Sequence, residues 1–214
     1  MTNGWKVAEI AEYVTLKEAQ LLIAACPKER DRLLLQAMWE TGGRVREALQ
    51  LTPDKVDPIN KLIYLPNLKQ LSKTKRDKGM KPPLKKCFLF PESTLCRDLL
   101  DYCAYNSIKR EDWVFQGGCR NGQVSATYVW LLLADRRPNR RAGLAVVLNM
   151  SKTKLGELRP VWPHLFRHGA GMYILKRTGR LEVVQKQLGH TSIMNTEVYA
   201  GLTDEDRKEI IDGS

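Results

Sequence analysis

One segment of this chain departs in texture from the rest, and that interruption restricts its fold more than any other feature. In residues 54–90, "DKVDPINKLIYLP" reads as two short strands about a Pro-Asn turn. "NLKQLSKTKRDKGMKPP" follows as a polar, basic connector, and "LKKCFLF" reads as a third strand. Helical periodicity flanks this segment on both sides. Upstream, "TLKEAQLLIAA" has capping-box spacing at Thr15 and Glu18, with Leu16, Ala19, Leu22 and Ile23 on one face. "KERDRLLLQAMWETGG" is a second helix stopped by Gly42 and Gly43, and "RVREALQL" resumes helically on Val45, Ala48 and Leu49. Downstream, helices are expected over "STLCRDLLDYCAYN", "SATYVWLLLADR", "HLFRHGAGMYILKRTG", "LEVVQKQLGH" and "SIMNTEVYAG", with Gly179 ending the third of these. Thr203 is the expected N-cap of a short acidic tail, "TDEDRKEIIDGS". The fold class implied is α+β: mainly α-helical, with a small antiparallel three-stranded sheet.

Charge narrows the partners. The 214 residues carry 35 Lys+Arg against 24 Asp+Glu, a formal net charge of +11. An excess of that size favours polyanions through counterion release, with duplex nucleic acid first among them. Basic loops at 67–83 and 136–143 fit the same reading. The five cysteines form no CxxC pair, which argues against a disulfide framework or a zinc site and for a reduced, cytosolic compartment. The longest apolar runs, "YVWLLLA" and "GLAVVL", are too short to cross a bilayer.

The chain has three histidines, His164, His168 and His190, and all fall near its end. His164 and His168 have helical i,i+4 spacing, but Leu165 stands where a zincin would need Glu. His168 reads as a packed or hydrogen-bonded helix residue. His164 and Arg167, at i and i+3, project side by side. A planar guanidinium beside an imidazole is what a phosphoryl-transfer site without metal needs. Arg44 lies at a helix start, where an anion suits the dipole and a cation alone does not. Glu47, one turn on, can hold its guanidinium. From spacing alone, Arg44 reads equally well as a solvated helix-start arginine. Lys69, Lys73, Lys75 and Lys78 all sit on the strand connector, and composition singles out none of them.

Taken in order, "TGGRVREALQL", a strand loop with "SKT", "HLFRH", "QLGHTS" and "NTEVY" resemble the catalytic domain of the tyrosine recombinase (phage integrase) family. The 23-residue step from Arg167 to His190 and the nine-residue step from His190 to Tyr199 also look like that family. The resemblance runs from about Thr15 to Tyr199. It implies that Arg44 and Arg167 clamp the non-bridging oxygens of a scissile phosphate and that His190 adds a hydrogen bond. It further implies that His164 acts in proton transfer, Lys73 is the general acid and Tyr199 the nucleophile. A second "SKT" at 151–153 competes with Lys73, which is preferred because it lies on the strand loop downstream of Arg44.

The activity so implied is site-specific strand cleavage and rejoining of double-stranded DNA through a 3′-phosphotyrosyl link, with neither metal nor cofactor. The alternatives are an accessory that only binds DNA, or topoisomerase IB-like relaxation. A homotetramer is expected on paired sites and a monomer when free. The organisation expected is a lead over 1–14, a catalytic domain over 15–202 and a docking tail over 203–214 bearing Ile210 and Ile211. Family members usually carry an upstream DNA-clamping domain. A piece of a longer protein and a minimal form relying on partners both fit the short lead. Two departures stand out: Phe166 replaces the usual Leu, and "HGAGMY" replaces a commoner His-Thr run.

Overall fold

The computed structural model describes residues 13–70, 79–134, 144 and 161–190. Three helices come first: α1 (Leu16–Ala24), α2 (Glu29–Thr41) and the short α3 (Val45–Ala48). Next come strands β1 (Val56–Asp57), β2 (Leu62–Pro66) and β3 (Leu84–Phe88). Helices α4 (Leu95–Tyr105), α5 (Ala126–Ala134), α6 (Pro163–Thr178) and α7 (Leu181–Leu188) follow among the described residues. The sheet is antiparallel in the order β1-β2-β3, with Val56 opposite Ile63 and Ile63 opposite Cys87. The mainly helical α+β class with one small sheet is therefore what the chain adopts. The expected helix over "SIMNTEVYAG" and the N-cap at Thr203 lie outside the described residues.

Local chemistry sets the element ends. The Thr15 hydroxyl accepts from the Glu18 N–H at 3.3 Å, and the Glu18 carboxylate accepts from the Thr15 N–H at 2.8 Å, closing the capping box. Helices α2, α6 and α7 stop at Gly42, Gly179 and Gly189, each in the left-handed region that glycine enters without steric cost. Ala19 and Leu22 of α1 are buried, whereas Leu16 is 37% exposed, so the apolar face of α1 is narrower than its sequence pattern.

The core joins α2, the sheet, α4 and α6. Leu33, Leu34, Leu35, Met38, Ile63, Leu65, Leu99 and Phe166 are all fully enclosed. Phe166 meets Trp39 edge-on with ring centroids 6.1 Å apart, so the larger side chain at this position fills space against α2. The "HGAGMY" run has a packing reason too. A Cβ at Gly169 would fall 2.0 Å from the Val14 carbonyl oxygen and 2.7 Å from Trp39. The bare backbone at 169 lets the chain entering α1 lie directly on α6, where the Val14 N–H donates to Leu165 O at 3.4 Å.

Helix α7 covers the free edge of β3. The Gln187 side-chain amide accepts from the Phe88 N–H at 3.0 Å and donates to the Phe88 carbonyl at 2.9 Å, in place of another strand. This fixes the end of α7 against the sheet. Gly169→Ala should cost about 1–3 kcal/mol, as overpacking of a tight contact does. The urea midpoint should fall with m unchanged; an unmoved midpoint would mean that the Val14 segment shifts aside freely.

Candidate active site

Helix α6 carries two of the residues singled out above. Leu165, Phe166 and Ala170 face the core, which leaves His164 and Arg167 together on the adjacent flank. Arg167 is only 3% exposed. Its guanidinium donates to Gly42 O at 2.6 Å and to Leu188 O at 2.8 Å. Both carbonyls belong to helix C-terminal turns, where acceptors lack intrahelical partners and a cation is favoured by the dipole.

Arg44 is the N-cap of α3 and is held by Glu47. Glu47 Oε1 accepts from the Arg44 guanidinium at 2.7 Å, and Oε2 accepts from the Arg44 backbone N–H at 3.1 Å. The sequence expectation for Glu47 is thus met. A third cation joins them that sequence reading passed over: Lys85 Nζ lies 3.0 Å from Glu47 Oε2. Burial alone would raise the Glu47 carboxyl, but Lys85 and Arg44 outweigh it and hold the group below its usual range, as a carboxylate. The inward positions of β3 are Lys85 and Cys87, and the sequence alone does not say which of the adjacent lysines, Lys85 or Lys86, takes that face.

Arg44, His164 and Arg167 line one open cleft of about 930 Å³, together with Arg46, Lys69, Trp130 and Trp162. His190 follows α7 directly; its N–H donates to Gln185 O at 3.0 Å, and its ring is half-buried. Burial first, then the charges of Arg167 and Arg44, push its imidazole down to about 4. His164 has an exposed face, yet the protein packed around its ring and the same two arginines hold it below the ordinary histidine value. The positive charge of Arg167 and Arg44 thus disfavours protonation of both His164 and His190. The His168 ring meets His164 edge-on at 4.5 Å and is also held at about 4, by burial and then by His164 and Arg167. Lys73, Tyr199 and the second "SKT" lie outside the described residues. Among those described, no cluster of three or more His, Cys, Asp or Glu could hold a metal ion, and no helix is long and apolar enough to cross a membrane.

The arrangement is therefore a cationic cleft with the imidazole of His164 at its wall. It can bind a phosphate diester, hydrogen-bond its non-bridging oxygens and accept a proton beside it. Neutral histidines also set a pH dependence. In an unfolded chain a histidine titrates near about 6.5. Between that value and about 4, the unfolded chain binds more protons than the folded one at His168 and His190. Stability is then fully present above about 6.5 and falls as pH drops toward 4. Denaturation from pH 7 to 4.5 should show this decline, and His168→Asn should flatten part of it. A slope identical in the variant would remove His168 as a source.

Comparison with known proteins agrees with the family resemblance. The phage integrase family model matches residues 12–206. A resolvase from Escherichia coli is 31% identical over 197 residues, covering 89% of this chain and 74% of the relative. The crystal structure of XerA recombinase superposes with a TM-score of 0.70 at 21% identity, covering 96% of this chain and 65% of the other. The Tn1549 transposon integrase, solved in complex with a circular intermediate DNA, gives a TM-score of 0.61 at 17% identity, covering 96% and 66%. The chain thus spans about two thirds of the length of these solved recombinases. By motif order, by fold and by the extent of the match, it belongs to the phage integrase family of tyrosine recombinases.

Proposed function

We propose that this protein is a site-specific DNA recombinase that cleaves and rejoins duplex strands through a 3′-phosphotyrosyl intermediate. The observation that carries this reading is the single cleft that Arg44, His164 and Arg167 line together. Membership of the family supports it, as do the net charge of +11 and the integrase relative solved with DNA.

The chemistry follows from the residues. The Tyr199 phenol oxygen attacks the scissile phosphorus, and its proton passes toward the imidazole of His164. A free phenol has a pKa of about 10, so it needs both an acceptor and nearby positive charge. As the P–O5′ bond breaks, Lys73 protonates the departing 5′ oxygen. Charge grows on the non-bridging oxygens, to which Arg44, Arg167 and neutral His190 donate hydrogen bonds in this reading. The two guanidiniums supply the positive charge at the reacting phosphate. The phosphotyrosyl ester keeps the energy of the broken diester, so the 5′ hydroxyl of another strand can displace Tyr199 without ATP.

The catalytic unit in this reading spans residues 15–202. It acts on paired sites as a homotetramer, and the tail over 203–214 docks on a neighbouring protomer through Ile210 and Ile211. Deleting 203–214 should weaken assembly on DNA in gel-shift and sedimentation experiments while leaving single-site binding intact. Equal assembly would count against tail docking.

A duplex nicked just beyond the cleavage position provides the direct test. Wild-type protein should accumulate as a covalent adduct, in EDTA as well as without it, and Tyr199→Phe should form none. Arg44→Ala and Arg167→Ala should each slow adduct formation by about 10²–10³-fold, the usual cost of one transition-state donor. An adduct formed equally by Tyr199→Phe would remove Tyr199 from its role.

A further inference from the structure

Lys85 sits on a strand, behind the cleft that Arg44, His164 and Arg167 line. Its side chain is 5% exposed and that of Glu47 is fully enclosed. Besides the 3.0 Å ion pair with Glu47 Oε2, Lys85 Nζ donates to Leu188 O at 3.3 Å. Leu188 O is also an acceptor of Arg167, at 2.8 Å. One ammonium therefore touches both supports: the carboxylate that holds Arg44 and the carbonyl that holds Arg167. The chain of contacts runs Arg44, Glu47, Lys85, Leu188 O, Arg167 without a gap. It joins the start of α3, β3, the middle of α6 and the end of α7, four segments of the chain.

We infer that Lys85 is a positioning residue, which fixes the spacing of the two arginines and shares Glu47 so that Arg44 keeps positive charge for a phosphate. This rests on the phosphate-clamping reading of the cleft. The reason is electrostatic. With Lys85 present, one carboxylate faces two cations, and Arg44 is only partly neutralised. With Lys85 neutral, Glu47 has Arg44 as its sole charged partner among the described residues, and a buried pair of that kind is tight. The guanidinium is then drawn back onto Glu47, or Glu47 takes up a proton and stops holding it. Either outcome takes Arg44 off its position. The direct effect on an incoming strand is small, because Lys85 is buried and does not line the cleft.

The test uses Lys85→Met, Glu47→Gln and the double variant, each checked for folding by thermal unfolding. Vanadate, a phosphate mimic, is titrated while the fluorescence of Trp130 and Trp162 at the cleft is followed. Duplex affinity and the single-turnover rate on the nicked substrate are measured on the same preparations. Lys85→Met should weaken vanadate binding by roughly tenfold and slow adduct formation at saturating DNA by tenfold or more. Duplex affinity should change by less than about threefold, since one buried charge contributes little to backbone contacts at the surface. The double variant should be no worse than Lys85→Met alone, because both act through one unit. A merely structural lysine would leave the folded variant's vanadate affinity and rate at wild-type values, or would give additive losses in the double variant. Either result overturns the inference. Where Lys85→Met unfolds, the double variant, which removes both buried charges, carries the same comparison against Glu47→Gln: equal vanadate affinities support the relay, and a further loss in the double variant refutes it. Wild type that binds vanadate but forms no adduct would refute the recombinase chemistry and leave the vanadate comparison to decide on Lys85.

Discussion

The site is organised around the bond pair that the Arg167 guanidinium makes to Gly42 O and Leu188 O. A guanidinium this deeply enclosed is costly unless its donors are matched, and two helix C-termini match them with carbonyls that have no intrahelical partner. The same bonds bring the end of α2 against the end of α7. Contact there is close enough that a Cβ on Gly42 would fall 2.3 Å from Leu188 Cδ2. Gly42 is thus required twice, for its left-handed φ of 59° and for the space its missing side chain leaves. Arg44 follows two residues later and His190 two residues after Leu188, so pinning these helix ends also sets where both begin.

From that junction the electrostatics follow. Arg44 and Lys85 share one carboxylate, Glu47, and Arg167 joins them through Leu188 O, which Lys85 also reaches. The local charge is positive, and the histidines respond to it: His190 is pushed down to about 4, and His164 below its ordinary value. A phosphate diester in the cleft would reverse this field. It would favour protonation of His164 at the stage when an attacking phenol has to lose its proton. A neutral imidazole before substrate binds, which becomes a better base once the phosphate is present, is suited to the order of events proposed for Tyr199.

Much of this was legible in the sequence, for specific reasons. Glycine stops, the Thr15–Glu18 capping spacing and the single change to strand texture are local signals, and the elements formed where they said. The helical step from His164 to Arg167 was legible because i and i+3 share a flank. Lys85 was not, because a lysine in "LKKCFLF" reads as solvated, and only the strand's pairing shows which of the two lysines turns inward. Leu16 erred the other way: periodicity placed it on the buried face, and what packs beside α1 leaves it at the surface. The small residues of "HGAGMY" were visible as a departure, but their cause, the Val14 carbonyl lying on Gly169, is a contact between segments about 155 residues apart. The placements of Lys73 and Tyr199 rest on motif order alone.

These failures share a physical origin that bears on how the site works. Local periodicity reports which face of an element is apolar, and it is silent on polar groups buried by contacts between distant segments. The cationic cluster is built almost entirely of such contacts: a strand lysine, a helix-start carboxylate, two helix-end carbonyls and a mid-helix arginine. Each would be unfavourable alone in a protein interior. Together they are satisfied, and satisfied in one geometry, because moving any member leaves another's donor or acceptor unmatched. The guanidiniums are therefore held in place by the protein itself, which is the condition that the proposed phosphoryl transfer requires of fixed donors.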